Sequence, residues 1–176
     1  MDLYASHLQW IDAQQARMVE LVTQWARINS GSTHLAGLGR MADRVADDFA
    51  VLGGQMRRLD LPSMQKIDVQ GNEIQLPLGQ AIAIRKARPG GVRVFLSIHM
   101  DTVYGVDHPF QKVQTADKCR AVGPGVADAK GGLCVMLVAL EALERSPFAA
   151  GIDWQVLINP DEELGSPGSA GLLRQY

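Results

Sequence analysis

Several features that would place this chain among membrane, disulfide-stapled or nucleic-acid-binding proteins are missing from it. It has two cysteines, Cys119 and Cys134, too few for a disulfide framework and without the C-x-x-C spacing of a zinc ribbon or redox pair. Both read as free thiols, Cys134 within a helix. No apolar run approaches the roughly 20 residues that span a bilayer, so no membrane partner is expected. Basic side chains do not cluster beyond Arg57-Arg58 and Arg85-Lys86, and the formal net charge is -2, so no nucleic-acid partner is expected either. The opening M-D-L-Y-A-S-H-L-Q-W carries an early acid and lacks the basic-then-apolar order of a secretory signal. A cytoplasmic protein is the expectation, although a processed periplasmic form would read the same.

What is present fits a globular domain. The chain has 176 residues, enough for one core and short for two, with 47% hydrophobic and 20% charged residues. Apolar residues at Leu8, Ile11, Met18, Leu21, Val22 and Trp25 predict one amphipathic helix over 8–29, anchored in the core by Trp10 and Trp25. Met41, Val45, Phe49 and Leu52 form one stripe of a helix over 39–52, with Asp43, Asp47 and Asp48 on its solvated face. The period then changes, and 55–61, 80–88, 91–99 and 153–159 read as strands between Pro, Gly and Asn punctuation. Leu133, Met136, Leu137, Leu140 and Leu143 trace a helix that Pro147 closes, and 169–176 opens another. Trp154 is expected to pack beneath the first helix. Strands alternating with helices imply an α/β sheet.

Three segments deliver acidic or imidazole groups. The run V-F-L-S-I, read as a strand buried on both faces, ends in His99 and Asp101. Residues two apart on an extended backbone point the same way, so Asp101 can hold one ring nitrogen of His99 and leave the other free. Asp128 lies in the Gly-rich stretch G-P-G-V-A-D-A-K-G-G, which lacks the residue order of either common phosphate-binding loop. Glu162 and Glu163 follow the apolar run D-W-Q-V-L-I-N and, if extended, diverge. Open α/β sheets gather ligands beyond the carboxyl ends of their strands. Carboxylates meeting there repel one another unless a cation joins them. One imidazole with several carboxylates and no thiolate suits Zn(II), Co(II) or Mn(II) in a hydrolytic site. His7, His34 and His108 sit in no motif and read as surface or capping residues, with Asp107 an ordinary loop residue.

The motifs S-I-H-M-D-T-V-Y at 97–104, G-P-G-V-A-D-A-K-G-G at 123–132 and N-P-D-E-E-L-G-S at 159–166 resemble those of the M20 family of co-catalytic zinc peptidases, within it the glutamate carboxypeptidase branch. The resemblance implies a three-layer α/β/α sandwich with a mostly parallel mixed sheet. It implies that His99 binds one zinc ion, Asp128 bridges two, and Glu163 binds the other. Asp101 would support His99, Glu162 would be the general base, and the Asp128-Ala129 peptide would be cis. The expected chemistry is hydrolysis of a peptide or N-acyl amino acid, releasing a C-terminal residue such as glutamate. An acetylornithine-type deacylase and an inactive remnant are the alternatives. Family members are longer and add two metal ligands and a lid that mediates dimerisation. Residues 1–176 are therefore expected to be the amino-terminal part of a catalytic domain with a partial ligand set, homodimerisation belonging to the full-length protein.

Overall fold

The computed structural model describes residues 4–117 and 120–175. Cys119, read above as a free thiol, lies outside them. The helix expected over 8–29 is two: α1 (Ala5–Asp12) and α2 (Gln15–Ala26). Between Ile11 and Met18 no large apolar side chain falls on the buried stripe, so nothing holds the middle turn to the core. The peptide N–H of Gln14 donates to Ile11 in a tightened turn instead. Only α2 buries residues, among them Leu21 and Trp25. Trp10 is half-buried and stacks under the Arg145 guanidinium, 4.9 Å away, so it is not the core anchor expected.

Helix α3 (Leu35–Phe49) starts four residues before the predicted point. Its N-cap residue, His34, makes no side-chain cap, so the usual Ser, Thr, Asp or Asn start signal is absent. Met41, Val45 and Phe49 are fully buried, as their spacing requires. Asp48 leaves the solvated face assigned to it: it accepts hydrogen bonds from Trp25 Nε1 and Arg44 Nε, each at 2.7 Å.

The strands are β1 (Gln55–Leu59), β2 (Met64–Ile67), β3 (Glu73–Leu76), β4 (Ala81–Lys86), β5 (Val92–His99), β6 (Gln114–Asp117), β7 (Arg120–Val122) and β8 (Ile152–Asn159). Helix α4 (Lys130–Glu144) lies between β7 and β8, and the short α5 (Ala170–Leu173) follows. Four strands form the main sheet in the order β1-β4-β8-β5. It is mixed, as expected, but among the described strands only β5 and β8 pair in parallel, whereas β1–β4 and β4–β8 are antiparallel, so this part of the sheet is not mostly parallel. The other strands pair as two separate hairpins, β2–β3 and β6–β7.

Side-chain alternation gives the sheet two faces. Ile82, Ile84, Trp154, Val156 and Ile158 face Trp25, Met41, Val45, Phe49, Leu133 and Leu137 of α2, α3 and α4. Each such side chain contributes roughly 1.5–3 kcal/mol by leaving water. Ala81, Ala83 and Leu157 face the other way, against Leu172 and Leu173 of α5, so helices lie on both sides. Strand β5 is not buried on both faces. Val94, Leu96 and Ile98 pack on the core, but β5 is an edge strand among the described residues, and Phe95 is 36% exposed. No helix among the described residues is long and apolar enough to cross a membrane.

Candidate metal centre

The parallel pairing of β5 with β8 builds the site. Its register sets His99 opposite Asn159, and the Met100 peptide N–H donates to Asn159 O at 2.9 Å. Both strands therefore release their polar segments at the same rim. Helix α4 begins beside it, and Asp128 stands two residues before its first residue, in a loop closed by the Lys130 N–H donating to Gly125 O at 2.8 Å. A Cβ on Gly131 would meet Val126 O at 2.4 Å, so only glycine lets this loop lie so close to the helix. The Asp128-Ala129 peptide is cis, as the resemblance implies.

His99, Asp128 and Glu163 each point one donor atom into a common space, all three atoms within 4.8 Å of one another. The His99 Nδ1 side faces Asp101, 3.2 Å from both its backbone oxygen and its carboxylate Oδ1. Nε2 is left towards the acidic side, 2.9 Å from Asp128 Oδ1 and 3.8 Å from Glu162 Oε2. Burial alone would lower the imidazole pKa, but the hydrogen bonds to Asp101 and Asp128 outweigh it and raise it to about 9. Glu163 is pushed above the usual carboxylate range, first by burial and then by the charge of Asp128. Carboxylates are crowded around one imidazole, and in the metal-free protein the proton held by that ring is the only positive charge among the three donors. A divalent cation fits that donor set: it takes Nε2, whose tautomer is already held from behind, and relieves the repulsion among the carboxylates.

Glu162 and Glu163 do not diverge as extended neighbours would: Glu162 Oε2 lies 3.8 Å from His99 Nε2, and a Glu163 carboxylate oxygen lies within 4.8 Å of the His99 and Asp128 donor atoms. They lie in a single 3-10 turn, Glu162–Leu164, rather than on extended backbone. The first N–H groups of that turn point at Asp101: Glu162 N donates to Oδ1 and Glu163 N to Oδ2, both at 3.2 Å. Asp101 is fully buried and also accepts from Ser32 Oγ at 2.7 Å. It thus holds the histidine and the glutamate turn together. Asp128 is its opposite, with a side chain 78% exposed.

Three further residues shape the site, and sequence reasoning assigned none of them a role. Ser32 is the first. Asp161, fully buried, is the second: its Oδ2 accepts from Gly168 N and Ser169 N at 2.8 and 3.0 Å, closing the loop that carries both glutamates. Lys130 is the third; it too is fully buried, and burial lowers its pKa to about 8. An acid directly before the glutamate pair and a lysine two residues after Asp128 were visible signals, but their partners are backbone atoms, within the same loop for Asp161 and about a hundred residues away for Lys130. His34 and His108 are local: His34 Nδ1 meets Asn29 Oδ1, and His108 Nδ1 accepts from Phe110 N. His7 lies edge-on to Phe148.

A groove of about 440 Å³ opens beside the three donors, with Asp128 and Glu163 in its lining and Val103, Tyr104, Phe110, Val122 and Val126 among its apolar walls. Tyr104 and Phe110 meet edge to face, centroids 4.9 Å apart.

Residues 95–176 match the family model described as peptidase family M20/M25/M40. The chain is 38% identical over 166 residues to carboxypeptidase G2 of Pseudomonas sp. (strain RS-16), a match covering 92% of this chain and 36% of that protein. Its fold is that of human carnosine dipeptidase 1 (TM-score 0.80, 22% identity, 98% of this chain and 38% of that one). It is also that of the di-peptidase Dug1p from Saccharomyces cerevisiae (TM-score 0.78, 18% identity, 97% and 37%). The chain thus spans well under half the length of these proteins. With the three motifs on one rim of the shared fold, the chain belongs to peptidase family M20/M25/M40.

Proposed function

We propose that residues 1–176 are the amino-terminal part of an M20-type catalytic domain and hold part of the ligand set of a two-zinc site that hydrolyses amide bonds. The observation that carries this reading is the convergence of His99, Asp128 and Glu163 donor atoms within 4.8 Å, beside an open groove, in a relative of carboxypeptidase G2. By that kinship the substrate is a peptide or N-acyl amino acid that loses a C-terminal residue such as glutamate. Zinc suits the donor set, and cobalt or manganese would also fit it. Homodimerisation belongs to the longer protein.

Each residue has a distinct task. His99, through Nε2, and the carboxylates of Asp128 and Glu163 would hold the metal, with His99 and Glu163 serving different ions and Asp128 shared between them as the M20 resemblance implies. Asp101 keeps His99 turned so that Nε2 faces Asp128. A bound divalent ion supplies a Lewis acid that polarises the scissile carbonyl and acidifies water. Glu162, with a side chain 54% exposed and Oε2 3.8 Å from His99 Nε2, takes the proton from the attacking water and delivers it to the leaving amine. The Tyr104 and Phe110 walls of the groove hold substrate against this edge.

Zinc titration of the chain by calorimetry tests the reading, with His99→Ala alongside. Weak binding that the substitution abolishes is expected, with little hydrolysis of N-acyl glutamates by the chain alone. Two tightly held zinc ions per chain would overturn the partial ligand set, and a folded chain that binds no zinc would overturn the metal site.

A further inference from the structure

Residues 25–32, at and beyond the end of α2, give no donor atom to the metal group, yet both halves of that group are fastened to them. On one side, Ser30 and Ser32 hold the end of β5. Ser30 Oγ donates to Met100 O at 2.8 Å, Thr102 N to Ser30 O at 3.0 Å, and Ser32 N to Thr102 O at 3.1 Å. Ser32 Oγ then reaches the Asp101 carboxylate that orients His99 and the glutamate turn.

The joint on the other side is Lys130. Its side chain runs inward from the first residue of α4, fully buried, and Nζ donates to Trp25 O at 3.1 Å and Ile28 O at 2.9 Å. No salt bridge reaches it among the described residues. Its charge is instead met by carbonyl dipoles at the carboxyl end of α2, where a cation is favoured. The stem is closely fitted: Gly125 has φ +74, and a Cβ there would lie 2.9 Å from Lys130 Cδ. Asp128 sits inside the loop that the Lys130 N–H closes onto Gly125, so the position of Lys130 sets that of the carboxylate.

Burying an ammonium without a counter-ion is expensive, and an apolar side chain of the same length would fill the space without that cost. What methionine would not supply is a directional hold on two carbonyls. We propose that Lys130 is a positioning residue: by clamping Trp25 O and Ile28 O it sets Asp128 at the distance from His99 and Glu163 that a divalent cation requires. This rests on the metal-binding reading of those three residues.

The test is a Co(II) titration of the wild-type chain, Lys130→Met and Lys130→Gln, followed by the visible absorption of the bound ion, with thermal midpoints measured in parallel. Loss of an outer group that orients ligands costs about 10- to 100-fold in metal affinity. Lys130→Met is expected to fold, bind Co(II) at least about tenfold more weakly and shift the absorption band. Lys130→Gln, whose amide still donates to a carbonyl, should fall between it and wild type. If only the glutamine variant folds, its loss relative to wild type decides. Equal affinity in the folded proteins, or a loss that merely tracks the thermal midpoint, overturns the proposal. Failure of both variants to fold also overturns it, because the lysine then serves the fold and not the site. A folded wild-type chain that binds no Co(II) removes the metal reading, and this inference with it.

Discussion

Two carboxylates flank His99, and they could hardly be placed more differently. Asp101 is fully buried, and its carboxylate takes the Nδ1 side of the ring, the Ser32 hydroxyl and two backbone N–H groups. Asp128 meets Nε2 with a side chain 78% exposed. A carboxylate whose lone pairs are filled by fixed donors has nothing left to offer a ligand, but it can dictate where those donors sit. One that faces solvent, its side chain's one contact among the described residues being with His99 Nε2, is free to exchange water for a metal or substrate. Burial thus divides the labour between two chemically identical groups.

The contrast can be broken most severely at Asp101. Asp101→Ala leaves several donors unsatisfied in a dry site, and removing one member of a buried charged network costs roughly 3–5 kcal/mol. A fall of that size in urea unfolding, with loss of metal binding, is expected; near-wild-type stability would show Asp101 to be dispensable to the fold.

Next comes pH. In the metal-free protein the His99 pKa is about 9, above its ordinary 6.5, so the protonated ring stabilises the fold below pH 6.5. That contribution is lost as pH rises from 6.5 through about 9. The wild-type excess over His99→Gln in urea midpoint should shrink across this window. Co(II) affinity should move the opposite way, rising towards pH 9 as the proton leaves Nε2, and a flat affinity profile would mean that His99 is no ligand.

Ser32→Ala removes one of the donors to Asp101 and should cost about 1 kcal/mol, measured by the same unfolding. Asp128→Asn sharpens the comparison from the other end. Measured above pH 9, where His99 is neutral and the charge pairing is gone, its stability should stay within about 0.5 kcal/mol of wild type. Its metal affinity should nevertheless fall by about tenfold or more, the opposite balance to Ser32→Ala. An equal loss of stability at Asp128 and Asp101 would erase the distinction drawn from burial.

Particular elements show how far the residues could be read in advance. The α3 stripe of Met41, Val45 and Phe49, the α4 face and the β8 run each carry a strong period, and each lies within a few residues of its predicted place. The hairpin β2–β3 was missed because M-Q-K-I and E-I-Q-L are short, largely exposed and paired only with each other. Both pieces of the broken first helix fall on one apolar pattern, and the break at Gln14 became visible only once packing told α1 from α2. His99, Asp128 and the Glu162-Glu163 pair stood out because apolar runs and a glycine-rich turn deliver them, whereas the choice of Glu163 over Glu162 as a ligand came from the M20 resemblance. Lys130 and Ser32 could not be singled out, because each acts on atoms that only the fold brings near, and Asp161 could not because its partners are main-chain N–H groups of an irregular loop seven and eight residues on.

The donor types, their order along the chain, and the β5 and β8 runs that carry two of the three motifs are written into the residues themselves. These are consequences of local periodicity and side-chain chemistry. That the three donors meet, that Asp101 is dry while Asp128 is wet, and that Lys130 bonds to the end of α2 follow from how distant segments pack. Those outcomes depend on β5 pairing in register with β8 across a long stretch of chain and on α2 packing against α4. No local pattern records how far apart two segments will lie once the core has formed.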